Sequence, residues 1–212
     1  MRLAELSERS GVPIPTIKYY LRERLLPPGH RITATQAEYD DTHLRRLGLV
    51  RALIQVGRIP VATAREVLAA IADDSLDHHM RLGAAVWSIP HGQDPDEEDP
   101  STGTAHRTAE ALLERLDWDF GRETGARSPA YRMLVAGIAT MLRLGYPCGI
   151  EELLPYARSA TQLAVTDLDL VERYESEEEQ VEAAVAFTVL YEPVLLSLRR
   201  LAQAEESNRR FG

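Results

Sequence analysis

Beyond residue 40 this 212-residue chain offers no stretch patterned as a β-strand, and that excludes every architecture built on a sizeable sheet. Apolar residues instead recur every three or four positions, separated by Gly, Pro and capping residues. Leu3 to Arg9 reads as a short helix broken at Ser10-Gly11, and Pro13 opens a second helix running to about Glu23. Pro27-Pro28-Gly29 ends it. Only residues 30–39, HRITATQAEY, alternate β-branched and polar types as a small two-stranded hairpin would. Asp40-Asp41-Thr42 supplies caps and negative charge for a third helix from His43 to about Val56. A fourth is expected from Val61 to Ala72, and others over 75–89, 104–117, 129–144, 150–174 and 177–207. The expected fold class is therefore mainly all-α, with one small two-stranded element near the N-terminus and a helical bundle toward the C-terminus.

Charge divides the chain. Residues 1–72 carry 11 Lys+Arg against 7 Asp+Glu, whereas residues 73–212 carry 13 against 26. A basic head on an acidic body suits a module that approaches phosphates while the remainder is repelled. Residues 90–103, PHGQDPDEEDPSTG, read as a disordered-looking acidic linker or loop. The expected organisation is a head over 1–72, a connecting helix and linker over 73–103, and a helical domain over 104–212. Cys148, the single cysteine, excludes an internal disulfide and any Cys-pair metal site. The charged N-terminus has no signal-peptide pattern and no apolar run reaches membrane-spanning length, so a cytoplasmic location without membrane association is expected.

Two short helices joined by a tight turn and followed by a hairpin form a winged helix-turn-helix, whose second helix enters a DNA major groove. On a helical wheel, Ile14, Ile17, Leu21 and Leu25 share an inward face. Pro15, Thr16, Tyr19, Tyr20 and Arg22 point away from it, with Lys18 at the boundary. Hydroxyls and cations on that face suit phosphate and base contacts. The exposed tyrosines either meet a partner or pack against the wing.

The stretch LAELSERSGVPIPTIKYYLRERLLPP resembles the start of MerR-family regulators. The family pattern is matched at Gly11-Val12, Thr16-Ile17-Lys18-Tyr19-Tyr20 and Leu25-Leu26-Pro27, and continues through Tyr39, Leu44-Arg45-Arg46-Leu47, Leu53, Gly57 and Ala64-Arg65-Glu66-Val67-Leu68. The resemblance implies a homodimer on a two-fold symmetric promoter operator in double-stranded DNA. It also implies DNA contacts from Thr16, Lys18, Tyr19 and Tyr20, and from a wing cation; with Pro15, Arg22, Arg31 and Tyr39 these make up the expected DNA-facing set. The chain departs from the family in three ways. Gln36-Ala37 replace a Tyr-Arg pair in the wing before Tyr39, which leaves Arg31 as the wing cation. Arg24 stands where the family has glycine, so a different turn is expected. Residues 75–89 are too short for the dimerisation helix that should follow the fourth helix.

Dimerisation must therefore lie downstream. Residues 183–196, AAVAFTVLYEPVLL, are apolar on nearly every side, as in a bundle core or a subunit seam, with a kink expected at Pro193. The helices of 129–207 resemble, in architecture alone, the ligand-binding domains of TetR-type regulators. Trp118, Tyr131, Tyr146, Tyr156, Phe187 and Tyr191 either line a small-molecule pocket or simply fill the core; a pocket in such acidic surroundings would favour cationic or neutral amphipathic ligands. No nucleophile–base arrangement, phosphate-binding glycine loop, cofactor motif or metal-ligand spacing is present, so no catalytic role, cofactor or metal is expected. The reading is a regulator responsive to an effector. The alternative is a protein that sequesters a small molecule, with DNA binding reduced or lost.

Overall fold

A computed structural model describes residues 1–33, 36–89 and 92–212. The helices are α1 (Leu3–Ser10), α2 (Ile14–Arg22), α3 (Asp41–Arg51, continued by a π-helical turn Ala52–Val56), α4 (Val61–Ile71), α5 (His78–Trp87), α6 (Thr102–Arg115), α7 (Asp119–Thr124), α8 (Pro129–Arg143), α9 (Ile150–Val171) and α10 (Glu177–Phe211). Strands β1 (His30–Arg31) and β2 (Ala37–Glu38) pair antiparallel, His30 opposite Glu38 and Arg31 opposite Ala37. This is the mainly-α fold with a single small hairpin that the sequence implies. The hairpin residues Ala34 and Thr35, and Pro90-His91 of the linker, lie outside the described residues.

The chain forms two compact units, Met1–Ile89 with Val171–Gly212, and Pro90–Leu170. The division differs from the expected one, because α10 joins the N-terminal unit rather than the domain over 104–212. In the first unit α1 ends on Gly11, whose φ of 65° turns the chain without the clash a Cβ would bring. The turn is tied by the Ser7 hydroxyl donating to the Val12 carbonyl and by Arg51 donating to the Ser10 carbonyl at 3.0 Å. Leu6, Ile17, Leu47, Val50, Leu53, Val67 and Ile71 then meet in one core. Val181, Val185 and Val189, spaced four apart on α10, close it against α5 and the turn after α3.

In the second unit α6 packs on α8 through Ala105, Ala109, Leu113, Tyr131, Val135 and Ile138. The acidic stretch expected to be disordered is packed here: Asp94 pairs with Arg132 at 2.6 Å, Asp99 with Arg143 at 3.6 Å, and buried Thr102 donates to the Asp96 carbonyl. Two of its carboxylates meet arginines of α8.

α10 also corrects the expectation that no segment reaches membrane-spanning length. It is long and apolar enough by length and composition, with 28% of the apolar stretch buried. Its N-terminal half is core of the first unit, and the helix runs unbroken through Pro193.

Candidate nucleic-acid interface

α2 presents Pro15, Lys18, Tyr19 and Arg22 to solvent, with Thr16 half-buried beside them. The Arg22 guanidinium lies 5.9 Å from the Tyr19 ring centroid, so the aromatic face holds the cation at the helix surface. Tyr19 is 36% exposed, but Tyr20 is only 4% exposed and belongs to the core. The outward placement of Tyr20 is thus corrected. The wheel that put it outside counted Leu25 as helical, yet α2 stops at Arg22 and the inward face centres on Ile17, Tyr20 and Leu21. Burial raises the Tyr20 phenol above its ordinary pKa; Arg51 lowers it and neighbouring Tyr19 raises it by smaller amounts.

Arg24 adopts φ 58°, the left-handed conformation that glycine would take freely. The Leu25 and Leu26 N–H groups both reach the Tyr20 carbonyl, which folds the chain back across the end of α2 toward the wing. The turn expected to differ at this position thus places an exposed arginine in the left-handed conformation open to glycine.

At the wing, Arg31 is exposed on β1, whereas Tyr39 is 8% exposed and stands edge-on to the His43 ring at 5.2 Å. Tyr39 is thus a packing residue of the wing base, which corrects its placement among exposed DNA-facing side chains. Burial raises its phenol. A Cβ on Gly29 would come within 2.7 Å of the Glu38 carbonyl oxygen and 2.9 Å of the Tyr39 ring, so the wing closes only around glycine. Asp40 caps α3 by accepting from the Thr42 and His43 N–H groups, and it also accepts from the Thr42 hydroxyl. Its carboxyl is held well below the usual carboxylate range, chiefly by the Thr42 hydroxyl and then by the His43 side chain 2.7 Å away.

Two positioning residues escaped the sequence reading. Arg51 ties α3 to the turn before α2, and Arg65 of α4 donates to the Glu23 carbonyl at 3.0 Å while pairing with its carboxylate at 2.9 Å. Both hold the reading helix from behind. Arg51 shows in the sequence only as an arginine on a helix, which ordinary solvated surface also produces, and Arg65 only as part of the matched stretch Ala64–Leu68 with no role attached.

The six aromatics proposed as one pocket do not gather. Trp118, Tyr131, Tyr146 and Tyr156 belong to the second unit, Phe187 and Tyr191 to the first. Tyr146 and Tyr156 are each 62% exposed, and Trp118 packs partly into the core. Tyr131 lines a cleft of about 400 Å³, and Phe187 one of about 300 Å³ between α3 and α10. A further cleft of about 860 Å³ lies between residues 93–102 and α8, floored by Met133, Gly137 and Ile138. The sequence shows a concentration of aromatics in this part of the chain but carries no information on which helices meet.

Residues 1–71 match the family model for the MerR helix-turn-helix family of regulatory proteins. Comparison with curated proteins finds no match. Among solved structures, the chain is similar to a protein of Streptomyces coelicolor A3(2) assigned as a transcriptional regulator, with 54% identity and a TM-score of 0.87. That likeness covers 100% of this chain and 98% of the other. Two helices around a Gly11 turn, a short wing and a relative shared over the full length converge: this chain belongs to the MerR family of transcriptional regulators.

Proposed function

We propose that the protein is a homodimer that occupies a two-fold symmetric promoter operator in double-stranded DNA and responds to a small-molecule effector in its second unit. The observation that carries the DNA reading is the exposed Lys18, Tyr19 and Arg22 surface of α2, with Arg31 on the adjoining wing. Two cations and a phenol on α2, with a third cation on the wing, provide phosphate contacts that fix the helix in the groove, and Thr16 and Tyr19 offer groups to base edges. Tyr20 and Tyr39 contribute as packing that sets the orientation of helix and wing. The family assignment points away from enzymatic activity, and the protein acts in the cytoplasm. α10 packs three valines into the first unit's core and begins with three glutamates, which favours a folded over an inserted role.

Self-association is supported by the C-terminal half of α10. Tyr191, Val194, Leu198 and Leu201 follow spacings of three, four and three residues, and the last three are exposed. Two such stripes laid antiparallel about Leu196 would set Tyr191 against Leu201 and Val194 against Leu198. α10 would then supply the long helix that α5, at ten residues, cannot.

Gel shift with the chain's own upstream DNA tests the reading. The expected result is salt-sensitive, sequence-specific binding that Lys18→Ala weakens while lowering the salt slope by about one. Absence of any shift would overturn it. The clefts of the second unit would then favour sequestration of a small molecule instead.

A further inference from the structure

The cleft of about 400 Å³ in the second unit lies along one face of α6, where His106, Glu110, Leu113 and Glu114 align. Arg122 of α7, the Gly125-Ala126 turn and Tyr131 of α8 complete its lining. Its volume is in the range of small-ligand sites, about 300–1,000 Å³. Its polarity follows from one chain of hydrogen bonds. His106 Nε2 lies 3.4 Å from a Glu97 oxygen, and His106 Nδ1 lies 3.2 Å from the Tyr131 hydroxyl. An ionised carboxylate only accepts, so Nε2 donates to Glu97, and in the tautomer with Nδ1 unprotonated that nitrogen is an acceptor. The Tyr131 hydroxyl therefore donates to His106 and leaves its oxygen lone pairs as acceptors toward the cleft.

Glu110 and Glu114 add acceptors only, and neither makes an ion pair among the described residues. The one cation of the lining, Arg122, already faces Asp119 at 3.5 Å. Burial, and to a lesser degree Glu110, holds the Tyr131 phenol above its ordinary pKa, which keeps its proton available for His106. Among the described residues there is no group of three metal-ligating side chains, so an organic ion fits this lining better than a bare metal ion.

We propose that this cleft binds a small organic cation bearing N–H donors, an ammonium or guanidinium compound, through Glu110, Glu114 and the Tyr131 oxygen. The assignment rests on the effector reading above and names the class of effector. Glu110 and Glu114 are exposed at the mouth of the cleft, so an anion would face two carboxylates there, and a neutral apolar molecule would leave the buried Tyr131 oxygen without a donor.

Isothermal titration without DNA tests it, with agmatine as the probe because it carries both cationic groups, and 1,4-butanediol as the uncharged control. The expected result is saturable binding of agmatine and none of the diol. Glu110→Gln with Glu114→Gln should weaken agmatine binding at least about tenfold, a loss on the scale of charge-assisted hydrogen bonds. Tyr131→Phe should weaken it less and leave the helical circular dichroism unchanged. A charge-matched control, Glu172→Gln with Glu175→Gln, should bind as the wild type does. No agmatine binding, or equal losses in the two double variants, would overturn the proposal. Gel shift on the same preparations keeps the outcomes apart: DNA binding without agmatine binding defeats only this inference, and the reverse defeats only the regulator reading.

Discussion

Arg24 carries a conformational cost that a single substitution relieves. An L-residue in the left-handed region costs about 1–2 kcal/mol, against which the extra unfolded-state freedom of glycine returns about 0.4–1 kcal/mol. Arg24→Gly is therefore expected to raise stability by about 0.5–1 kcal/mol in urea unfolding. Asp40 is a second such residue. Replacing this cap by alanine should cost about 1 kcal/mol at neutral pH. Its folded-state pKa is depressed, so its contribution is present above the unfolded value near pH 4 and is lost as pH falls through the folded one. The gap in stability between wild type and Asp40→Ala should thus be constant near neutrality and narrow below about pH 4. A gap independent of pH down to the acid limit would remove the ionised carboxylate as the source of the capping. The sequence showed both positions, one as a missing glycine and one as an Asp before a helix, because turns and caps are local devices.

At the scale of elements, the seam between α10 and the end of α3 leaves no room for a side chain at Gly57. A Cβ on Gly57 would stand 2.8 Å from Val189 Cγ1 and 2.9 Å from the Leu53 carbonyl oxygen. Gly57→Ala is expected to cost about 1–3 kcal/mol, as overpacking does. Adding Val189→Ala should recover part of that loss in a double-mutant cycle, whereas strictly additive losses would show that the two do not touch. Helix limits were legible to within a few residues from periodicity, Pro13, Ser128-Pro129 and Gly145. The burial of Tyr20 was not, because a wheel assigns faces only while the helix lasts and α2 ends three residues before Leu25.

For the whole molecule, the 35 residues of α10 span about 52 Å at 1.5 Å per residue, well beyond the core that its first half closes. Leu198 and Leu201, 55% and 64% exposed, lie outside the hydrophobic cores of the single chain. Leu198→Glu with Leu201→Glu should therefore halve the mass measured by light scattering while leaving helix content and single-protomer folding intact. Affinity for a full operator should fall toward that for a half-site, because the two reading heads would no longer be linked. An unchanged mass would overturn the proposed pairing through α10.

What the sequence determined by itself is local. Helix and hairpin limits, the Gly11 turn, the cap at Asp40 and the spaced residues that mark the family all follow from neighbours a few positions apart. The tertiary structure decided which surfaces meet. It drew α10 back across more than 80 residues to finish the N-terminal core, tied the acidic stretch to α8, and turned Tyr20 and Tyr39 from reading residues into supports. It also separated the six aromatics and left His106, Glu110 and Tyr131 around one cleft. Periodicity records that a side chain is buried, but the partner that buries it is set by packing between segments distant in the chain.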